Sequence, residues 1–308
     1  MLKAATIDIG SNSVKYLLAE IDAESMKPVD ERVEITRLSA GLDISGNLAV
    51  VAMERTVDAI GQMVDELKNK GAQKIFLVGT MALRHGKNAS EMVQMVQQRT
   101  GLTIDVLSGV QEAELGHLAV VKSLDLGTST HCVFDTGGGS TEFIFGQNSS
   151  ITTSFSLNVG VVRLTEHYLS KDQPDQADIH RCRNRVFNEL VELKKFRCDQ
   201  VIGLGGTVTT LAAVLHKVQP YDPKLVHGTI LTNDDLQQLL DLFISMPLSD
   251  RRNINGLNPK RADVIIAGLI ITQVILTHFN RTQLMVSDSG LRLGYLCHRM
   301  NCNHVVFD

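Results

Sequence analysis

Apolar positions along the chain follow two periods, two and about three and a half, and these alternate. Ala4–Ile9 and Val14–Ile21, on either side of a Ser-Asn-Ser turn, read as a β-hairpin, with Glu31–Leu38 as a third strand. From Leu48 to Lys70 the apolar positions recur at helical spacing, and Gly71 stands where a helix closes. A strand is predicted at Lys74–Val78, a helix at Ser90–Arg99, a strand at Thr103–Leu107 and a helix at Gln111–Ser123. The polar stretch Leu124–Thr130 is the expected hinge. Beyond it come strands at Cys132–Asp135, Glu142–Phe145 and Ile151–Leu157, and helices at Val161–Leu169 and Asp175–Phe196. A strand at Gln200–Gly203 and helices at Val208–Val218, Asn233–Met246 and Pro259–Phe279 follow, then a strand at Gln283–Ser287 and a helix at Gly290–Met300. This alternation is an α/β pattern.

Two segments repeat each other. Ala5–Ile21 reads ATIDIGSNSVKYLLAEI and Cys132–Asn148 reads CVFDTGGGSTEFIFGQN. Each is an apolar run ending in Asp, then a Gly/Ser turn, then a second alternating run. Asp8 and Asp135 fall at the same point, 127 positions apart (135 − 8). The repetition predicts a duplicated domain with two facing phosphate loops across a cleft. The expected domains are 1–124 and 125–289.

Composition narrows the partners. A chain of 308 residues with 44% hydrophobic and 21% charged residues is expected to form two globular domains. Its net charge of −4 gives no global attraction to nucleic acid or an anionic membrane, so an anionic substrate needs local donors or a cation. Without Trp, and with 5% aromatics, stacking platforms for bases or sugars are not expected. Five scattered Cys and no basic, apolar leader point to a reducing cytoplasm. The apolar stretch Val264–Leu276, interrupted by Thr272 and Gln273, is too short to span a bilayer and reads as a buried helix.

Three turns rich in Gly, Ser and Thr follow strands: Gly10-Ser11-Asn12-Ser13, Gly137-Gly138-Gly139-Ser140-Thr141 and Gly203-Leu204-Gly205-Gly206-Thr207. Glycine lets the backbone approach an oxyanion, and successive N–H groups form an anion-binding concavity. A single such turn is often only a tight turn; two matched turns and a third favour phosphate. Asp8 and Asp135 at the loop mouths repel phosphate unless they hold a cation, directly or through water. Mg²⁺ (or Mn²⁺) suits such oxygen ligands, with Glu142 a further candidate. Taken alone, each Asp reads first as a strand-end cap, Glu112 and Glu114 as first-turn helix acids, and Arg84 as a loop arginine. The segment CHRMNCNH at 297–304 lacks zinc-knuckle spacing and reads as the end of a helix. Arg181, Arg183 and Arg185 form either a solvated face or a basic track for a polyanion.

Eight segments in order resemble the exopolyphosphatase/guanosine pentaphosphate phosphatase (Ppx/GppA) family, within the actin/Hsp70/sugar-kinase superfamily. They are DIGSNS at 8–13, GTMALRHGKN at 79–88, SGVQEAEL at 108–115, FDTGGGSTE at 134–142, VGVVRLTE at 159–166, GLGGTVTTLAA at 203–213, LNPKRADVIIAG at 257–268 and SDSGLRLG at 287–294. The resemblance implies two ribonuclease-H-like, actin-like domains, with a helix at about 290–308 returning to the first. It implies hydrolysis of a terminal phosphoanhydride, with Glu112 directing the attacking water. Arg84 and the turn residues Ser11, Asn12, Ser13, Gly137, Gly138, Gly139, Ser140, Thr141, Gly205, Gly206 and Thr207 would hold phosphates. Where the family often has two acids, this chain has Gln111-Glu112. Arg163 and Arg261 lie in matched segments and read equally as substrate contacts or structural ion-pair partners. The expected substrate is inorganic polyphosphate, with guanosine pentaphosphate (pppGpp) as the alternative. The chain stops soon after SDSGLRLG, without the extension of longer relatives, which favours short chains or nucleotides. A homodimer is the expected assembly. A kinase of the same fold, or a non-catalytic nucleotide sensor, is the other class to test.

Overall fold

The computed structural model describes residues 1–22 and 25–307, and, for residues 43 and 44, the backbone only. Residue 308, part of the expected last helical segment, lies outside the described residues. Among the described residues the strands are β1 Leu2–Ile9, β2 Ser13–Ile21, β3 Ser25–Ile35, β4 Lys74–Gly79, β5 Ile104–Val106, β6 Thr130–Thr136, β7 Thr141–Gln147, β8 Ser150–Leu157, β9 Gln200–Leu204, β10 Ile230–Thr232, β11 Gln283–Ser287 and β12 His304–Val305. The chain divides into two compact units, residues 1–123 with 289–308, and residues 124–288. Each holds one six-stranded sheet.

The sheets share a plan. In the first the order is β12-β3-β2-β1-β4-β5, with β1 antiparallel to β2 and parallel to β4. The second, taken from its other edge, runs β8-β7-β6-β9-β11-β10, with β6 antiparallel to β7 and parallel to β9. The duplication extends to single residues: Asp8 pairs with Lys15 across the first hairpin, and Asp135 with Glu142 across the second. Each turn is closed by the same backbone bond, Gly10 N–H to Ser13 O at 3.0 Å and Gly137 N–H to Ser140 O at 2.9 Å.

The central strands β1 and β6 are buried along most of their length, as expected where helices cover both faces. Helix Val50–Asn69 packs Met53, Ile60, Met63, Val64 and Leu67 onto Ile7, Ile9 and Tyr16 of the first sheet. Helix Ile265–His278 is apolar all round and buried, filling the core of the second unit, as the pattern at Val264–Leu276 predicts. No helix among the described residues is long and apolar enough to cross a membrane.

Several boundaries differ from expectation. The third strand covers Ser25–Ile35 rather than Glu31–Leu38. A register shift between Leu18 and Ala19 lets Pro28 sit in it, because a bulge relieves the lost N–H donor. The expected helix Pro259–Phe279 is broken into a 3₁₀ turn Pro259–Arg261 and the helix from Ile265. Asn258 caps that turn by accepting from the Lys260 N–H, which ends the continuous helical path. The helix expected at Val208–Val218 starts three residues earlier, at Gly205.

Candidate active site

In the first unit, β1, β4 and β5 run parallel and end at one edge of the sheet. Ligands of open α/β sheets bind outside such carboxyl ends. The Gly10–Ser13 turn follows β1. Thr80, just past β4, donates its N–H to Ile9 O at 3.3 Å and opens a short helix, Met81–His85, that carries Arg84. Ser11 Oγ lies 3.9 Å from Met81 Sδ, so the turn and this helix touch. Beyond β5, helix Gly109–Ser123 presents Glu112 in its first turn. Arg84 Nη1 donates to Glu112 Oε2 in a close ion pair, and to Leu107 O at 2.7 Å. The sequence therefore brings Arg84 and Glu112 into direct contact from elements 28 residues apart.

Asn88 does not reach this pair. Its side chain bonds both Leu48 N and Leu48 O, at 2.8 and 3.0 Å, tying two segments together. The carbonyls of Ser11 and Asn12 accept from the N–H groups of Ser39, and of Thr36 and Arg37. Satisfying the carbonyls from behind leaves the N–H side of the turn for an anion. Asp8 Oδ1 is buried with no hydrogen-bond partner. Burial pushes its carboxyl above the usual carboxylate range, while Lys15 and Arg292 pull the other way.

In the second unit, β6, β9 and β11 likewise run parallel to a common edge. The Gly137–Ser140 turn follows β6 and is held from behind: Val161 N–H donates to Gly137 O at 3.0 Å and Val162 N–H to Gly138 O at 2.9 Å. Gly160 lies so close that an added Cβ would sit 2.4 Å from the Gly138 carbonyl. Glu142 Oε1 accepts from Ser140 Oγ at 2.7 Å and Ser156 Oγ at 2.9 Å. It thus braces the turn against β8. Thr141 is buried and donates to Val159 O at 2.5 Å, a scaffold bond.

The third turn leads straight into helix Gly205–Leu215, whose N-terminus carries Gly205, Gly206 and Thr207. Gly205 has φ +77, and a Cβ there would sit 2.2 Å from Asp135 Oδ1. A Cβ on Gly206 would sit 1.8 Å from Arg261 Nη1, so the guanidinium lies flat against that backbone. Burial lowers the Arg261 pKa, and the charges of Asp135 and Tyr221 oppose the shift. Sequence reasoning left Arg261 divided between two roles; its seat on Gly206 places it among the loops. The backbone N–H of Arg163 donates to Gly138 O at 3.3 Å, on the second turn. Of the arginines on the polar helix, Arg181 pairs with Asp178, Arg183 with Gln273 and Arg185 with Glu189.

Among the described residues no three His, Cys, Asp or Glu side chains converge as a ready cage. The partnerless Asp8 oxygen fits a cation or its water, as does an Mg²⁺ that keeps several waters. Glu142 is engaged by two serines and fits less well.

Two sheets of this order, each with a central Asp-ended hairpin, define an actin-like α/β protein. The Ppx/GppA phosphatase family model matches residues 17–302, and the chain belongs to that family of phosphoanhydride hydrolases. A solved Ppx/GppA family member from Aquifex aeolicus superposes with a TM-score of 0.88 at 35% identity, over 97% of this chain and 98% of the other. Exopolyphosphatase 2 of Mycobacterium tuberculosis is 31% identical over 96% of this chain and 97% of its own length. A bifunctional 3-dehydroquinate synthase/phosphatase from Fusobacterium nucleatum is 32% identical over 94% of this chain, which spans only 45% of that protein.

Proposed function

We propose that this chain is an exopolyphosphatase, removing the terminal orthophosphate of inorganic polyphosphate by hydrolysis of its phosphoanhydride. The observation that carries this reading is the pair of equivalent turns, each closed by one Gly-to-Ser backbone bond behind an Asp-ended strand. The similarity to an exopolyphosphatase over nearly its full length supports it.

In the proposed reaction the N–H groups of Ser11, Asn12 and Ser13 in the first unit, and of Gly138, Gly139 and Ser140 in the second, donate to phosphoryl oxygens, with hydroxyl help from Ser11 and Ser13. The N-terminus of helix Gly205–Leu215 and the Arg261 guanidinium bind further oxygens. Phosphoryl transfer depends mainly on such positioning and charge stabilisation. Arg84 exchanges its ion pair with Glu112 for a phosphoryl oxygen when substrate arrives. That exchange releases the Glu112 carboxylate to accept a proton from the attacking water. Asp8 would hold Mg²⁺ or Mn²⁺, which would supply charge neutralisation on the phosphates when bound, and Asp135 is the equivalent carboxylate of the second unit.

A second reading is pppGpp 5′-phosphohydrolase. One observation favours it: the half-exposed Tyr221 is anchored by its hydroxyl to Asp288 Oδ1 at 2.9 Å and interacts electrostatically with Arg261. A fixed aromatic face suits a nucleobase, and polyphosphate makes no use of one. Parallel assays on long polyphosphate, short polyphosphate and pppGpp decide. Faster turnover of pppGpp that falls in Tyr221→Ala, with polyphosphate unaffected, would select the second reading. Phosphate release only when an acceptor is present would indicate a kinase.

A further inference from the structure

Four of the five cysteines lie close together in twos. Cys132, on β6, and Cys198, just before β9, interact as a thiol pair wholly inside the second core. Cys297 and Cys302 form a second pair in the first unit, and its surroundings differ. Helix Leu291–Met300 ends at Asn301 in the left-handed conformation, φ 53, and Cys302 N–H closes back on Cys297 O at 3.0 Å. This six-residue reversal is the geometry of a Schellman stop. It folds Cys302 back over the last turn and brings its backbone against that of Cys297.

Their accessibility is unequal. Cys297 is 2% exposed, its sulfur 4.0 Å from Met26 Sδ, within the apolar cluster that includes Leu293, Leu296 and Val305. Cys302 is half-buried, with Sγ 2.9 Å from the His304 carbonyl. We propose that Cys297 and Cys302 are an oxidisable thiol pair, closed by a peroxide into an intramolecular disulfide that staples the segment from Cys302 to Phe307 onto helix Leu291–Met300.

Cys302 is the attacking sulfur. The neighbouring Cys297 holds its thiol down to about 7, and Lys122 acts in the same direction. Cys297 is pushed the other way by the neighbouring Cys302 and by burial. The Cys302 thiolate attacks one oxygen of hydrogen peroxide, breaking the O–O bond and leaving a sulfenic acid and hydroxide. Cys297 sulfur then attacks the sulfenic sulfur; its proton and the departing hydroxyl leave as water. Two thiols give up two electrons, and one peroxide becomes two waters. The product joins two residues whose backbones already share the Cys302 N–H to Cys297 O bond at 3.0 Å.

The test uses the full chain, folded and reduced, treated with hydrogen peroxide and then digested for mass mapping. The intact protein should lose two hydrogens, the link should map to Cys297–Cys302, and dithiothreitol should restore it. Cys302→Ser should lose the mass change, whereas Cys297→Ser should gain one oxygen on Cys302 that dimedone traps. Without oxidant, a maleimide should label Cys302 at least about tenfold faster than Cys132 or Cys198. A link mapped to Cys132–Cys198, oxidation only after unfolding, or slow labelling of Cys302 would overturn the proposal.

Discussion

Arg84 and Glu112 form an ion pair in which one guanidinium nitrogen bridges the Glu112 carboxylate and the Leu107 carbonyl. Both residues were candidates for chemistry from the sequence, and their contact makes each the keeper of the other. A carboxylate held by Arg84 is a poor proton acceptor until a phosphoryl group competes for the guanidinium. Substrate binding and activation of the base are coupled in this scheme.

Replacing Arg84 by Lys keeps a charge but removes the forked donor set. The KM for polyphosphate should rise about tenfold, the scale of one lost charge-assisted hydrogen bond. Arg84→Ala should raise it further. Steady-state kinetics over a range of substrate concentrations measure both; an unchanged KM in Arg84→Ala would remove Arg84 from the phosphate site.

Two glycines of the second unit separate backbone demand from open space. Gly205 combines φ +77 with a neighbour, Asp135 Oδ1, at 2.2 Å from a hypothetical Cβ, whereas nothing lies within 4 Å at Gly139. Gly205→Ala should cost about 1–3 kcal/mol of stability and displace Asp135. Gly139→Ala should stay within about 0.5 kcal/mol of the parent. Thermal unfolding of the two variants side by side checks the contrast.

Glu142 braces the glycine turn through Ser140 and Ser156, which a metal ligand need not do. Glu142→Ala should weaken polyphosphate binding several-fold at saturating Mg²⁺. Ser156→Ala, which leaves the Ser140 bond in place, should weaken it less. Equal losses in the two variants would contradict a bracing role.

Stability towards acid should depend on the cluster of paired side chains around Glu66. Tyr16 donates to Asp30 and Glu66, and Lys70 donates to the same two carboxylates at 2.5 and 2.6 Å. Arg32 adds a bond to Glu66 at 2.9 Å. Lys70 first, then Arg32, hold the Glu66 carboxyl down to about 2 from an ordinary 4.5. A depressed carboxylate stabilises the fold fully above about pH 4.5 and loses that contribution as pH falls toward about 2. Because the side chains are partly exposed, Glu66→Gln should cost only about 1 kcal/mol at neutral pH. The gap to the parent should narrow at about pH 3 and close only near about pH 2. Urea unfolding at these pH values measures this; a gap that widens in acid would contradict it.

Much of this was legible in the chain because periodicity reports burial. The hairpins at Asp8 and Asp135 follow from alternation and from glycines at matched points. The buried helix Ile265–His278 follows from an apolar run. What escaped depends on contacts between distant segments. Helix propensity counts Gly205 and Gly206 against a helix, yet glycine costs little in a first turn, where the N–H groups have no intrahelical partner. Arg261 gained its place only when the 3₁₀ turn at Pro259 brought it onto Gly206. Glu142 read as a metal ligand because its partner Ser156 arrives from the next strand. The Cys297–Cys302 contact depends on a left-handed Asn301, which the CHRMNCNH spacing does not announce.

The most direct test is phosphate release from polyphosphate in the presence of Mg²⁺ by the parent and by Glu112→Gln, with binding measured on both. The account predicts that the substitution lowers kcat by about 10²–10⁴-fold while polyphosphate still binds. Near-parental turnover in Glu112→Gln would contradict it and move the base elsewhere.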